Sequence, residues 1–393
     1  MQAVVLDEPR KISIGTVDDP VVKAPTDVIL KLTSSAICGT DLHIYEGRLS
    51  TGQPLVIGHE PLGVVEKAGP DVVNVRVGDR VTVPTHICCG FCPNCVHGYS
   101  AQCLTTNPGK AGGAYGYPFM GGYTGAQAQY LRVPFADANC LRLPGEPGDA
   151  WEHDFVLLAD ALPTAFHATE MVDVRQGDTV VIYGAGAIGL LSAMCSFMRG
   201  AVQVFVVDSI TDRLEKAGEI GAVPIDMSGG HAADEILEQL ARQRAGIAWR
   251  GEEANLGATV CIDAIGFQAR DPLNYPVEKP MAVIDDIARL VAPKGRVSII
   301  GVFLDNDPHA PDANAQRGVY EIPWGTLFRK GVKVAMGRDD DKNYNDHLRD
   351  AIVRGRIKPS TIVSKRLPLR EAADAFAKFD ARAQGYIKVV LEP

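Results

Sequence analysis

The sequence predicts an α/β protein of two domains, a doubly wound parallel sheet and a second domain rich in β-strands. Three observations support this class. The 393 residues are too many for one ordinary domain and suffice for two. Short β-branched runs dominate the first part of the chain, and from about residue 163 strand-like runs alternate with helix-like runs. Alternating strands and helices are typical of a parallel sheet covered on both faces.

The individual elements follow from the same patterns. In the β-rich part, short runs broken by Gly, Pro and Asp predict strands at 28–38, 61–69 and 79–84. In the alternating part, apolar runs predict strands at 179–183, 203–208, 258–263, 295–301 and 333–336. The remaining periodic segments predict helices at 211–220, 232–243, 281–291, 345–354 and 370–378.

The composition disfavours several classes of function. Hydrophobic residues make up 46% of the chain and charged residues 22%, which is an ordinary globular balance. The net charge of −9 disfavours nucleic acid and anionic membranes as partners, because an acidic surface repels phosphate groups. The segment 179–198 is free of charges, but three glycines interrupt it, so we expect a strand, a turn and a buried helix there. The first residues lack an apolar leader segment, and we expect a cytoplasmic protein.

A glycine-rich turn predicts a dinucleotide site. Gly184, Gly186 and Gly189 match the G-x-G-x-x-G pattern directly after a predicted strand and at the start of a predicted helix. Asp208 ends the next strand, and a carboxylate there can accept the ribose hydroxyls and repel a 2′-phosphate. The turn therefore favours NAD over its phosphorylated relative. The alternative is a glycine turn of no function in an α/β sheet.

Four cysteines in one short loop predict a structural metal site. Cys89, Cys92, Cys95 and Cys103 have the spacing of a closed tetrahedral zinc site, and the chain holds an odd number of cysteines, nine, which disfavours a disulfide framework. Cys88 is adjacent and could compete as a ligand. A zinc ribbon that binds nucleic acid is the alternative, but the loop contains no Lys or Arg.

Two further elements, Cys-Gly-Thr-Asp-Leu-His from Cys38 and Gly-His-Glu around His59, do not establish a metal site by themselves. A lone cysteine is more often a small buried apolar residue, and a lone histidine is more often a satisfied core residue.

Together, the Gly-His-Glu element, the four-cysteine loop and the GAGAIG turn, in that order, resemble the medium-chain zinc-dependent alcohol dehydrogenases over essentially the whole chain. Within that family, the segment NPGKAGGAYGY and Asp160 in LLADALPT resemble the glutathione-independent formaldehyde dehydrogenases and formaldehyde dismutases.

The resemblance implies a catalytic zinc held by Cys38, His59 and Asp160, with Glu60 behind the metal. It implies two zinc ions per chain, one catalytic and one structural. The same resemblance gives Thr40 and His43 the role of a proton relay.

For the cofactor, the resemblance implies contacts from Thr164 near the nicotinamide, from Ile188 within the glycine turn and from Arg213 near the adenosine. It implies a Rossmann cofactor domain at 163–337 and a β-rich GroES-like catalytic domain built from 1–162 and 338–393, with zinc and nicotinamide in the cleft between them. Relatives of this kind are homo-oligomers, and the subgroup suggests a tetramer.

The predicted function is hydride transfer between NAD and a small alcohol or aldehyde hydrate, resembling formaldehyde, with dismutation where NAD stays bound. One alternative is an ordinary NAD-dependent alcohol dehydrogenase for a larger substrate. A second is a non-catalytic, zinc-stabilised nucleotide-binding protein. The Gly- and Tyr-rich segment 107–125 is expected to cover bound NAD, with a surface loop or subunit contact as the alternative.

Overall fold

The computed structural model of the chain describes residues 1–49, 52, 54–245 and 256–393. The chain forms two compact units. The first unit combines Met1–Thr164 with Asp339–Pro393, and the second unit is Ala165–Arg338. No helix in the described ranges is both long and apolar enough to cross a membrane.

In the described part of the chain, strands and helices are numbered in chain order. The strands are β1 (Gln2–Glu8), β2 (Lys11–Thr16), β3 (Val28–Ile37), β4 (Leu55–Val56), β5 (Glu60–Ala68), β6 (Arg80–Thr82), β7 (His86–Ile87), β8 (Gly113–Ala114), β9 (Tyr130–Val133), β10 (Leu141–Arg142), β11 (Thr179–Tyr183), β12 (Gln203–Asp208), β13 (Val223–Asp226), β14 (Ala258–Asp263), β15 (Val291–Ile299), β16 (Lys333–Met336), β17 (Lys365–Pro368) and β18 (Val389–Glu392). The helices are α1 (Gly39–Tyr45), α2 (Pro93–Val96), α3 (Ala136–Asn139), α4 (Glu152–Phe155), α5 (Ala161–Glu170), α6 (Ala187–Met198), α7 (Thr211–Glu219), α8 (Ala232–Arg244), α9 (Ala282–Leu290), α10 (Trp324–Lys330), α11 (Asn345–Val353) and α12 (Ala372–Asp380).

The first unit is built around a sheet whose strands run in the order β10-β6-β5-β3-β18-β17, with β9 paired to β3. The C-terminal strand β18 pairs antiparallel with β3, so that Val389 lies opposite Ile37. On its other side β3 pairs antiparallel with β5, and Ala36 lies opposite Glu60. In this sheet, only β3 therefore separates the C-terminal strand β18 from β5.

The second unit contains a six-stranded sheet in the order β13-β12-β11-β14-β15-β16, in which every pairing is parallel. This is the order of a doubly wound sheet, in which the chain leaves the centre in both directions. The central strand β11, Thr-Val-Val-Ile-Tyr, is buried over four of its five residues, as expected for a strand covered on both faces. The predicted alternation of strand and helix is confirmed.

Several elements, β1, β2 and α10 among them, were not predicted, and two of the differences have a plain physical reason. Strand β13 was not predicted, since its four residues Val-Pro-Ile-Asp include a proline and form an edge strand, where a missing N–H is tolerated. Strand β15 begins at Val291, four residues before the predicted start. Its pairing with β14 shifts register between Ala258 and Val260, where Lys294 adopts a positive φ of 61°. The extra residues form a bulge that apolar periodicity does not predict.

Candidate active site and metal centres

The first candidate site begins where β3 ends. Cys38 follows the strand in an extended conformation and is the N-cap residue of α1. Its backbone N–H donates to Oδ2 of Asp41 at 3.0 Å, so the carboxylate of Asp41 ties the start of the helix to the end of the strand. This local bond fixes the direction in which the Cys38 side chain leaves the backbone.

Four potential ligands meet at this point. Cys38, His59, Glu60 and Asp160 are all buried, and one ligand atom from each lies within 4.8 Å of the others. The Oδ2 atom of Asp160 is 3.6 Å from Sγ of Cys38 and 3.4 Å from Nε2 of His59. The structure thus brings together the three residues expected to bind the catalytic zinc, with Glu60 beside them.

The donor set fits a zinc ion. One thiol, one imidazole and one carboxylate are the N, S and O ligands typical of catalytic zinc sites with three protein ligands. Within the described part of the chain, Oε1 of Glu60 is buried and has no hydrogen-bond partner. An orphaned carboxylate oxygen is costly in a buried site, and a nearby cation would offset that cost.

A second layer of contacts orients His59. Its Nδ1 atom lies 2.9 Å from Oδ1 of Asp41 and 3.5 Å from the hydroxyl of Tyr117. Gln127 in turn donates to Oδ2 of Asp41 at 3.1 Å. An imidazole whose Nδ1 is held by a carboxylate presents Nε2 to the metal, and this is the arrangement that usually supports a histidine ligand.

Glu60 has a buried counter-charge. The ammonium of Lys388 forms an ion pair with Oε2 of Glu60 and donates to the carbonyl of Ile37 at 3.1 Å. Both charged side chains are almost fully buried, at 1% and 0% exposure. Lys388 immediately precedes β18, so the strand order of the sheet places it beside Glu60.

The electrostatics of the cluster follow from burial and from the charges packed together. Burial opposes protonation of His59, but Tyr117 and the carboxylates of Asp41 and Asp160 raise its pKa well above the usual value. Burial also opposes ionisation of Asp160, yet the hydrogen bond and charge of His59 lower the pKa of that carboxyl far below its usual range. Burial and the Asp160 charge raise the pKa of the Cys38 thiol. Asp160 is therefore ionised and ready to accept a cation.

Other expected site residues lie around the cluster. Thr40 Oγ1 is 3.6 Å from Cys38 Sγ, and His43 is buried one helical turn further along α1. Thr164 donates from its hydroxyl to Oδ1 of Asp160 at 3.2 Å. All three belong to the first unit together with the ligand cluster.

The four-cysteine loop forms a second cluster. Cys89, Cys92, Cys95 and Cys103 each place a sulfur within 4.8 Å of the others, and backbone amides donate to three of the sulfurs. Burial raises the pKa of Cys92, but the Leu104 amide and the neighbouring thiols outweigh it and lower the pKa to about 6. Such a set of polarised thiols suits a closed zinc site.

Cys88 does not compete with these ligands. Its Sγ atom contacts Oδ1 of Asn139 at 3.3 Å, and its N–H donates to the same oxygen at 3.0 Å. Burial raises the pKa of the Cys88 thiol to about 11. The cluster therefore consists of the four residues predicted from their spacing, without the fifth.

The glycine turn in the second unit has the shape of a phosphate cradle. Gly184 has a φ of 100°, a conformation that L side chains rarely adopt, and a Cβ at Gly189 would lie 1.7 Å from the carbonyl oxygen of Gly184. At Gly186 a Cβ would meet only Nη1 of Arg213, at 3.9 Å, among the described atoms. The turn is thus tight on one side and open on the other. Ile188 lies half-buried in the first turn of α6, whose amides face this opening.

Asp208 is held beside the glycine turn. Its Oδ2 atom accepts the N–H of Ala185 at 2.6 Å, and Oδ1 accepts the N–H groups of Ser209 and Ile210 at 2.7 and 3.1 Å. Because Oδ2 accepts only one N–H among the described residues, it retains capacity for a further donor, such as a ribose hydroxyl. The carboxylate of Asp208 and the open side of the glycine turn fit a dinucleotide.

The tyrosine-rich segment 107–125 has buried and exposed aromatic side chains. Tyr115 and Tyr117 are buried, at 1% and 6% exposure, and the ring of Tyr117 packs against His59. Phe119 is 40% exposed, and the expectation that this segment covers bound NAD stays a prediction.

Two residues of the site, Asp41 and Lys388, were not predicted from the sequence. Asp41 had a local signal, since it stands three residues after Cys38 in a capping pattern, whereas Lys388 had none.

Comparison with known proteins identifies the family. The Alcohol dehydrogenase GroES-like domain matches residues 24–145. The chain is 34% identical to a glutathione-independent formaldehyde dehydrogenase of Pseudomonas aeruginosa, over 100% of this chain and 97% of that protein. It is 32% identical to a formaldehyde dismutase of Pseudomonas putida, with the same coverage. The solved structure of the alcohol dehydrogenase TADH from Thermus sp. ATN1 superposes with a TM-score of 0.80 at 30% identity, covering 100% of this chain and 99% of that one.

The two relatives and the solved structure match over the whole chain, and the comparisons confirm a GroES-like domain and a Rossmann domain. The chain belongs to the medium-chain zinc-dependent alcohol dehydrogenase family and is an enzyme of the alcohol and formaldehyde dehydrogenase type.

Proposed function

We propose that the chain transfers a hydride between NAD and a small alcohol or aldehyde hydrate, with formaldehyde as the type of substrate, at a zinc ion held by Cys38, His59 and Asp160. The cluster of these three buried ligands with Glu60 carries the proposal. When bound, zinc lowers the pKa of a hydroxyl group toward about 7 and polarises a carbonyl group.

The residues around the ligands support this chemistry. The carboxylate of Asp41 and the hydroxyl of Tyr117 hold the His59 ring, so that Nε2 points to the ligand cluster. Thr164 holds Oδ1 of Asp160 and leaves Oδ2 to face the thiol and the imidazole. The ligands are thus fixed before a metal binds, which lowers the cost of binding it.

We assign the transfer of the substrate proton to Thr40. Its hydroxyl is 3.6 Å from Cys38 Sγ, close enough to receive the hydroxyl proton of a substrate that binds beside the ligands. His43, buried one turn along the same helix, is the proposed acceptor of that proton on its way to solvent. A threonine cannot keep the proton at neutral pH, so an acceptor of this kind is needed.

The cofactor proposed is NAD. Two features of the second unit support it: the open side of the turn at Gly186, where backbone can approach a pyrophosphate, and the carboxylate of Asp208, which would repel a 2′-phosphate. Arg213, whose guanidinium is the nearest described group to Gly186, lies on the same side of the turn and suits the adenosine half of the cofactor.

An aldehyde hydrate is chemically an alcohol, and its oxidation gives a carboxylic acid and NADH. If NADH remains bound, it can reduce a second aldehyde to an alcohol. Two molecules of formaldehyde and one of water then give one formate and one methanol, with no net change in NAD. The likeness to both a formaldehyde dehydrogenase and a formaldehyde dismutase makes the ratio of these two reactions the quantity to measure.

The experiment is a product balance with purified enzyme. Formaldehyde and a series of longer aldehydes and alcohols are supplied with and without added NAD, and formate, methanol and NADH are quantified by NMR and absorbance. We expect oxidation of formaldehyde with NAD. Formate and methanol in equal amounts without added NAD would establish dismutation, and light scattering would test the proposed tetramer.

A matched variant links the activity to the cluster. Asp160→Asn keeps the shape of the side chain and removes the charge, so turnover should fall by at least about a hundredfold while the nucleotide still binds. Turnover only on long alcohols would replace the formaldehyde proposal with an ordinary alcohol dehydrogenase. Full activity of Asp160→Asn would overturn the proposed site.

A further inference from the structure

A third buried cluster of potential ligands lies outside the two sites described above. His86, Asp339 and Asp341 each place a ligand atom within 4.8 Å of the others. Nδ1 of His86 is 2.9 Å from Oδ2 of Asp341 and 3.9 Å from Oδ1 of Asp339. All three residues belong to the first unit.

The two carboxylates of this cluster lack a permanent counter-charge. Asp339 is 3% exposed and Asp341 is 0% exposed. Among the residues that the structure describes, no lysine or arginine nitrogen lies within 4.0 Å of either carboxylate. In that same part of the chain, Oδ2 of Asp339 and Oδ1 of Asp341 are buried without a hydrogen-bond partner. Two buried carboxylates in this state are costly unless a proton or a cation joins them.

The pKa values of both carboxyl groups are raised in these surroundings. Burial and the charge of Asp341 raise the pKa of Asp339 well above its usual value, and burial raises the pKa of Asp341 to about 7. The ligand atoms of this cluster lie within 4.8 Å of one another, as do those of the cluster that contains Cys38, His59 and Asp160.

We propose that His86, Asp339 and Asp341 bind a third divalent metal ion. One imidazole nitrogen and the oxygens of two carboxylates suit a first-row transition ion such as Zn²⁺ or Mn²⁺ better than Ca²⁺ or Mg²⁺, which prefer oxygen ligands alone. Each carboxylate also has one buried oxygen without a hydrogen-bond partner among the described residues, and a bound cation would offset that cost. The ion neutralises two carboxylates that no other described cation reaches.

The neighbouring contacts indicate what this ion stabilises. Asp340 accepts the N–H of Ala101 at 2.9 Å, and Asn343 donates to the carbonyl of Gly98 at 2.7 Å. The segment that re-enters the first unit therefore packs on the four-cysteine loop through residues on both sides of Asp341. An ion shared with His86 links positions 255 residues apart in sequence, and a link of that length removes much conformational freedom from the unfolded chain.

The test is a metal count by difference. The zinc-loaded enzyme is equilibrated by dialysis against Zn²⁺ alone or against Mn²⁺ alone, and bound metal is measured by mass spectrometry. The wild-type chain should hold one ion more than Asp341→Asn with at least one of the two metals. Asp340→Asn is the matched control, since it makes the same charge change one residue away, and it should keep the wild-type count.

Equal metal counts for the wild-type chain and Asp341→Asn with both metals would overturn the proposal and leave a shared proton as the partner of the two carboxylates. If Asp341→Asn does not fold, Asp339→Asn gives the same comparison. A readout on the Mn²⁺-treated holoenzyme is independent of folding yield. Electron spin echo modulation should show an imidazole nitrogen on the added Mn²⁺, and His86→Gln should lose it. Unchanged nitrogen modulation in His86→Gln would contradict the assignment.

Discussion

Replacing Lys388 with methionine tests the buried ion pair behind the ligand cluster. Methionine keeps most of the side-chain volume and removes the ammonium that pairs with Glu60 and donates to the carbonyl of Ile37. Glu60 would then lose its counter-charge in a buried position in which Oε1 already lacks a partner within the described residues, and where burial already raises the pKa of its carboxyl group. Breaking a buried pair in this way costs about 3–5 kcal/mol.

The assay must report on the first unit alone. The chain has three tryptophans, and Trp151 belongs to that unit, so a background with Trp249 and Trp324 replaced by phenylalanine lets Trp151 fluorescence follow its unfolding. With a urea dependence of about 2–3 kcal/mol per molar, the predicted cost moves the unfolding midpoint down by about 1–2.5 M. Lys378→Met is the matched control, because Lys378 pairs with Asp374 on the surface of α12 and should leave the midpoint unchanged.

The double variant Glu60→Gln with Lys388→Met separates the charge from the packing. If the loss in Lys388→Met comes from the unpaired Glu60, removing that charge should restore about 1–3 kcal/mol. A midpoint for Lys388→Met within about 0.3 M of the parent, or a double variant no more stable than the single one, would refute the reasoning.

Four other substitutions test further parts of the structure. Asp160→Ala should hold one zinc ion per chain fewer than the wild type and abolish turnover while the ion at the cysteine loop stays, and a zinc count equal to that of the wild type would contradict the ligand assignment. Asp208→Ser should narrow the preference for NAD over its phosphorylated form by about 1–3 kcal/mol in kcat/KM, and an unchanged ratio would mean that another residue reads the ribose. Cys92→Ser should lower the thermal midpoint and the zinc content, whereas Cys88→Ser, outside the cluster, should keep both. Burial raises the pKa of Glu152, but Thr33 and its other polar partners outweigh burial and lower it, so ionised Glu152 stabilises the fold above about pH 4.3 and this stabilisation is lost in acid. Glu152→Gln should therefore reduce the loss of stability below that pH, and an unchanged dependence of stability on acid pH would contradict this role of Glu152.

The parts of the molecule that sequence predicts well depend on neighbours along the chain. The strands β11, β12, β14 and β16 lie within the predicted limits, because each is a short apolar run bounded by polar residues or glycine. The four cysteines of the loop and the three glycines of the turn likewise lie within 15 and 6 consecutive residues, so that spacing alone brings them together. The sequence pattern is therefore sufficient to predict a site whose residues are close together along the chain.

Features that depend on distant partners were not predicted. Lys388 is separated from Glu60 by 328 residues, and only the pairing of β18 with β3 brings them together. The edge strand β13 carries too little apolar signal, and the bulge in β15 arises from its register against β14. The contact of Tyr117 with His59 likewise joins residues that are far apart in sequence, whereas the prediction that the segment 107–125 covers NAD stays a prediction. In each case the decisive contact is tertiary.

The C-terminal segment of the first unit supplies charged side chains that contact residues of its N-terminal segment. Without the segment that follows Lys365, Glu60 would lose its buried ammonium, because that charge stands at the entry to β18. Without the segment at Asp339–Asp341, His86 would lose both carboxylates and the cysteine loop would lose the contact of Ala101 with Asp340. The return of the chain into its first unit therefore adds more than strands. Lys388 supplies the counter-charge of the buried Glu60 beside the proposed metal ligands, and Asp339 and Asp341 place two carboxylates beside His86.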